Sequence, residues 1–372
     1  VRGRPSLYTS YEQDSSLLNT PVKRFWVGAL LATLVVAPFR LSPDLTLLLA
    51  TAFIVSIGAI GLNIVTGYAG QVSLGHAFFI GIGAYTAAVL NGEPSTTSDV
   101  LGYGLDMWIW LPAAGLMAAL AGLIVSPLAF RLRGLYLAIV TLGLVFIGEH
   151  IFREAEVVTG GVGVGRRAAE PELFGFSFAD PGTVLGVPLA RDQGLYFMAL
   201  VVLVVMALLA RNLARSSVGR AFAAVRDRDI AAEVMGVSLR KHKLMAFTIS
   251  SFYAGIAGGL LYTITRFLEP SSFGLLLSVQ FIAMVLIGGV ATISGSILGA
   301  AFVTLLPRAI EEAPRFAPFI SASASGGFLT TQQLEQILYG VLIVVFLIFE
   351  PRGLFGLWVR VRNYFKAWPF SY

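Results

Sequence analysis

The stretch Leu45–Leu90, LTLLLATAFIVSIGAIGLNIVTGYAGQVSLGHAFFIGIGAYTAAVL, decides the fold. It contains two apolar runs, 45–66 and 72–90, each close to the roughly 20 residues that a helix needs to cross a bilayer. Between and into them falls GYAGQVSLGHAFFIGIG at 67–83, where five glycines, a tyrosine, a glutamine, a serine and a histidine interrupt an otherwise apolar region. Irregular backbone is tolerated at membrane depth only where protein or a water-filled cavity covers it. The pattern therefore predicts a broken membrane helix and marks Gly67, Tyr68, Gly70, Gln71, Ser73, Gly75 and His76 as candidates for a substrate path. A broken helix offers free N–H groups at one end and free carbonyls at the other, which suit the carboxylate and ammonium of an amino acid. Close helix packing through small residues is the competing reading.

The rest of the chain has the same character. Of 372 residues, 56% are hydrophobic and 13% charged, against about 25% charged in a typical soluble domain. Too few polar side chains remain to clothe a soluble surface, so lipid is the expected solvent. Apolar spans are read near 25–41, 45–66, 72–90, 108–130, 135–151, 195–210, 244–265, 276–290, 293–307 and 335–350. The expected fold is an all-α, polytopic transmembrane helical bundle of about ten spans. Only Ala291 and Thr292 separate the eighth and ninth spans, so a re-entrant hairpin is the alternative there. A second interruption lies in this region, at Gly288-Gly289 and Ser294-Gly295-Ser296. Gly288 and Gly289 join the path candidates, since Gly-broken segments in both halves of a transporter point to its binding site.

Charge sets the orientation. With the N-terminus inside and alternating spans, 18 of the 26 Lys and Arg fall in cytoplasmic segments, eight of them in 211–243. Most acids, Glu93, Asp99 and Asp106 among them, fall outside. Positive charge favours the inner side, so both termini are expected in the cytoplasm. The divisions are a tail over 1–24, a membrane domain over 25–350 and a tail over 351–372. An uncleaved first helix is expected. The net charge of +5 reflects insertion and the anionic inner leaflet, not a nucleic-acid partner. The absence of cysteine excludes disulfides and thiolate metal sites. His76, His150 and His242 share no ligand spacing, so no metal is expected. No nucleophile elbow, HExxH or Walker A motif is present. Gly160–Gly165 followed by Arg166 and Arg167 imitates a phosphate loop but lacks the lysine and hydroxyl.

The longest cytoplasmic segment, 211–243, reads RNLARSSVGRAFAAVRDRDIAAEVMGVSLRKHK. Val218, Phe222 and Val225 share one helical face. Asp227 and Asp229 suit the start of a second short helix, and Gly236 its stop. Two short helices with an apolar stripe ask for a partner; an amphipathic loop lying on the bilayer is the alternative. Glu149 and His150 are expected at a solvated interface, and Glu350 is expected to cap or pair locally. The outer loop 152–194, with Thr159-Gly160-Gly161, is large enough to receive a protein or to be a plain connection.

Ala231-Ala232-Glu233-Val234-Met235-Gly236 resembles the alanine-alanine-three-residues-glycine core with which permeases of ABC importers contact their ATPases, with Ile230 in place of the usual glutamate. The wider string RDRDIAAEVMGVSLRKHKLMAFTISSFYAGIAGGL is similar to the M-type (LivM-like) permeases of branched-chain amino acid importers. So are 67–90, RLRGLYLAIVTLGL at 131–144, IGGVATISGSILGAAFV at 287–303 and FEPRGL at 349–354. The first 24 residues and 308–334 carry no likeness. The resemblance implies a multi-pass inner-membrane subunit that is not itself an enzyme. Its partners would be a related H-type permease, two cytoplasmic ATPases carrying ATP and Mg, and an external solute-binding protein. No cofactor is expected on this chain. Arg220, Asp229, Ala231, Ala232, Glu233 and Gly236 are the candidate ATPase-coupling residues. Two alternatives stay open: an ABC permease for urea or short amides, and an ion-coupled secondary transporter.

Overall fold

The computed structural model describes residues 21–92, 100–132, 134–161, 165–167, 170–173, 176–178, 182–184, 187–265, 267–310, 320–321, 329–350 and 352–367. In chain order the α-helices are α1 (Pro21–Val36), α2 (Pro43–Asn63), α3 (His76–Asn91), α4 (Met107–Arg131), α5 (Leu135–Glu154), α6 (Glu156–Thr159) and α7 (Arg191–Arg215). They continue with α8 (Ser217–Asp227), α9 (Asp229–Val234), α10 (Leu239–Thr265), α11 (Leu275–Gly288), α12 (Ile293–Ile310), α13 (Thr331–Phe349) and α14 (Gly353–Ala367). Strands of two or three residues pair only in loops, as where Arg166 and Arg167 meet Leu268 and Phe267 antiparallel.

Local sequence sets the helix starts. Pro43 occupies the first turn of α2, where its missing N–H costs nothing. Thr330 and Gln333 form a reciprocal capping box at the start of α13, with Gln333 N donating to Thr330 Oγ1 at 3.2 Å and Thr330 N to Gln333 Oε1 at 3.0 Å. Ser216 caps α8 by accepting from Gly219 N at 3.3 Å.

α10 is the central post, packed against α4, α3 and α2. The approach is close because the contacts are small. A Cβ on Gly83 would fall inside contact distance of the Gly255 backbone, and one on Gly258 would meet the Ile80 carbonyl. Without a hydrophobic drive between helices in lipid, such dispersion contacts hold a bundle together. The opposite faces are apolar and exposed: Leu135, Ile139, Phe146 and Ile147 on α5, and Val341, Val344 and Ile348 on α13. A water-facing protein would conceal them; a lipid-facing one need not.

Six helices are long and apolar enough to cross a membrane, and a seventh span exists if α13 and α14, bent by 44°, count as one. The segments Arg24–Phe39, His76–Asn91 and Leu275–Gly288 are apolar but shorter. The 14 residues of α11 reach about 21 Å at 1.5 Å per residue, short of a core about 30 Å thick. Ten crossings therefore do not follow from helix length. Three boundaries differ from the sequence reading. Helix α3 starts at His76 rather than 72, because 69–75 is irregular. Helix α7 runs on to Arg215. The expected tail 351–372 contains α14, which closes on the α11–α12 turn. Residues 1–20 and most of 308–334 lie outside the described residues.

The connections gather into two ends. At one, 67–71, 132–134, 216–238, 289–292 and 352–353 approach one another. At the other, Arg166 Nη1 donates to Val158 O at 3.0 Å and its Nη2 to Leu101 O, while Gln193 Nε2 donates to Pro38 O at 3.1 Å. Burial lowers the Arg166 pKa from its ordinary value. These two groups are the two sides that the alternation of spans assigns.

Candidate functional site

The helix of α2 does not stop cleanly. It widens into one π turn over Ile64–Tyr68, a form that recurs at functional sites. Ala69 N donates to Ile64 O at 3.1 Å and Gln71 N to Val65 O at 2.9 Å. The irregular run 69–75 then leads to α3. Gln71, Ser73 and His76 are all buried. Gly70 takes φ +67°, and a Cβ there would lie 2.7 Å from Arg226 Cγ. Leu74 N donates to Thr141 Oγ1 at 2.9 Å, and Ala77 N, in the first turn of α3, to Ser278 Oγ at 3.0 Å. His76 Nε2 lies 2.9 Å from Gly58 O, and its ring meets Phe281 edge-on. Its partners are thus within the bundle.

The second interruption abuts the first. Asn63 Nδ2 donates to Thr292 O at 2.9 Å and Ser296 Oγ at 2.7 Å, and its Oδ1 accepts from Ala291 N at 2.8 Å. Ala291 has φ +58°, the one non-glycine with positive φ among the described residues. One asparagine therefore fixes a strained turn and joins 64–68 to 289–296. Gly288 and Gly289 do not open a passage in this conformation. A Cβ on Gly288 would collide with Gly295 O, and one on Gly289 would lie 2.7 Å from Arg352 O. Asn63 was overlooked in the sequence because a lone asparagine in an apolar run has no local signature; its position four residues before Gly67 was the available hint.

Both short helices expected in 211–243 are present, with two corrections. Asp227 ends α8, so only Asp229 sits in the first turn of α9. The stripe of α8 also faces inward: Phe222 and Val225 are buried and Val218 is partly buried against the core. The free apolar surface is on α9 instead, where Ile230, Val234 and Met235 are 69%, 82% and 83% exposed. Ala231 and Glu233 are exposed, Ala232 is buried, and Arg220 Nη1 donates to Arg215 O at 3.0 Å. Gly236 takes φ +86° with nothing near its Cβ position, so it serves backbone geometry alone.

Arg226 joins the two regions. Its Nη1 donates to Gly67 O at 3.1 Å and its Nε to Asp227 Oδ1 at 2.9 Å. The carbonyl it takes is one released by the irregular backbone. Nothing in the sequence linked Arg226 to a residue 159 positions away. At the periphery, Glu149 pairs with Arg153 and Glu350 with Arg360. Thr159-Gly160-Gly161 closes α6, with both glycines at positive φ. Among the described residues, no group of three His, Cys, Asp or Glu could hold a metal ion.

A polytopic helical bundle, a broken helix and a helical loop resting on the break define a membrane permease rather than an enzyme. Comparison with known proteins places it further. The family described as "Branched-chain amino acid transport system / permease component" matches residues 45–347, and the chain belongs to that family. It is 32% identical over 348 residues to the high-affinity branched-chain amino acid transport system permease protein LivM of Escherichia coli K12, covering 90% of this chain and 76% of that one. It is 24% identical over 271 residues to a probable branched-chain amino acid transport permease protein LivH of Methanocaldococcus jannaschii, covering 70% and 78%. No solved structure matches it.

Proposed function

We propose that the chain is the M-type permease subunit of an ATP-driven importer of branched-chain amino acids in the inner membrane, and that α8 and α9 transmit ATPase motion to the break at 64–75. The observation that carries this is the Arg226–Gly67 hydrogen bond together with the exposed apolar end of α9. The loop is rigidly seated on one side and bare on the other. In this reading ATP and Mg act on two partner ATPases at the end that holds 216–238, which faces the cytoplasm, as do both termini. A related H-type permease completes the pathway; the likeness to a LivH-named protein supports a pair of related subunits. A solute-binding protein delivers substrate at the opposite end, near 152–194. The path candidates at 67–76 and 288–289 move when Asn63 and Arg226 shift together. The bundle crosses the membrane with all ten of its main apolar segments.

The test is a pull-down of the tagged chain from native membranes, with partners identified and ATPase activity assayed. Recovery of ATPase subunits and a second permease is expected. Val234→Asp should release the ATPase without unfolding the chain. Gly236→Arg, strained at φ +86°, should uncouple ATP hydrolysis from uptake. A chain that purifies alone and moves leucine down an ion gradient would sink the reading.

A further inference from the structure

Beneath the coupling loop lies a cavity of about 260 Å³, enclosed by the 69–71 turn, the start of α5, the α8–α9 junction and the first turns of α10. Gln71 lines it. Its side chain is 4% exposed, and neither its Oε1 nor its Nε2 has a hydrogen-bond partner. A buried amide left unpaired on both atoms costs several kcal/mol, so a group from outside the chain is expected to meet it. Around it stand the buried Lys243, Arg228 and Asp227, with Leu137 and Val225 as apolar wall.

The lining narrows the occupant. A simple anion would face Asp227, and a simple cation would face Lys243 and Arg228. An apolar solute would leave Gln71 unpaired. A small zwitterion with an apolar side chain meets every requirement at once: its carboxylate on Lys243 and Arg228, its ammonium on Asp227 and Gln71 Oε1, its side chain on Leu137 and Val225. We infer that this cavity is a binding site for a free α-amino acid, set at the joint between the coupling loop and the broken helix. It is distinct from a mid-membrane path, since it opens at the end that carries the coupling loop. The permease reading enters only in saying that this end is cytoplasmic. An amino acid held here would bridge α8 and the 69–71 turn, the two parts that Arg226 already ties together.

The experiment is calorimetric titration of the full chain in lipid nanodiscs with L-leucine, alongside isoamylamine, which lacks the carboxylate, and 4-methylpentanoate, which lacks the ammonium. Leucine is expected to bind one per chain, with neither single-charge probe binding. Gln71→Leu and Asp227→Asn should each weaken leucine at least tenfold. Asp227 is exposed at the end of α8, so its variant stays folded and keeps the test decisive if Gln71→Leu does not. No leucine binding, or equal affinity in both variants, overturns the inference. ATP-driven uptake by the assembled transporter, measured in parallel, reports on the permease reading separately: uptake without binding removes the cavity site and leaves the permease intact.

Discussion

The two glycine-rich interruptions, 64–75 and 288–296, look alike as sequence and differ in kind as structure. In the first, the backbone departs from the helix, a glutamine is buried without a partner, and a cavity adjoins it. In the second, glycines let helices touch. Gly288 meets Gly295 and Gly299, and a Cβ on Gly353 would lie 2.5 Å from Ile287 O. Glycine thus serves an opened backbone in one place and a closed interface in the other. Composition alone does not separate these uses. The partners across the gap do: backbone atoms pressed against 288–299, and an arginine with a cavity beside 67–71.

The contrast can be broken most sharply at Gly299, whose Cβ position collides with Met284 O. Gly299→Val should cost about 3 kcal/mol or more, since an overpacked backbone contact has no side chain to move aside. Thermal unfolding in detergent would show it; a variant as stable as the parent would mean that the second interruption is not close-packed. Next is Asn63→Ala, which strips three hydrogen bonds and leaves Ala291 N–H buried. A loss of about 1–3 kcal/mol is expected, read as a lower melting temperature, and transport should fall with it. If the two interruptions move independently, transport would survive. Arg226→Met keeps the side-chain stem and removes the bond to Gly67 O, costing about 1 kcal/mol of stability. Uptake should drop severalfold while the ATPase stays bound, because α9 is untouched. Uptake unchanged would detach the coupling loop from the break. Smallest is Gly143→Ala, within α5 but in neither interruption and with nothing near its Cβ position. It should raise stability by about 0.5–1 kcal/mol; a loss would show that the open space around it is occupied in the membrane.

Much of this was legible. The apolar runs located each main helix, the break after 66 was marked by its polar residues, and two short helices were expected from the pattern of 217–236. Errors arose where burial decides. The stripe Val218, Phe222, Val225 is amphipathic whichever way it faces, and it faces inward. Asp227 read as a helix start because the sequence does not reveal that Arg228 turns extended between α8 and α9. FEPRGL at 349–354 was informative as a motif, yet that α14 folds back on Gly289 depends on packing.

The sequence by itself determined the solvent, the class and the membership: hydrophobic content rules out an aqueous surface, and motifs in order carry the likeness that comparison confirmed. Those properties are local or additive, so a linear reading reaches them. Tertiary structure alone decided that Asn63 joins the two interruptions, that Arg226 holds Gly67, that α9 rather than α8 is bare, and that Gln71 lies unpaired beside a cavity. Each is a pairing between positions far apart in the chain, set by which helices can approach closely and not by any residue's own preference.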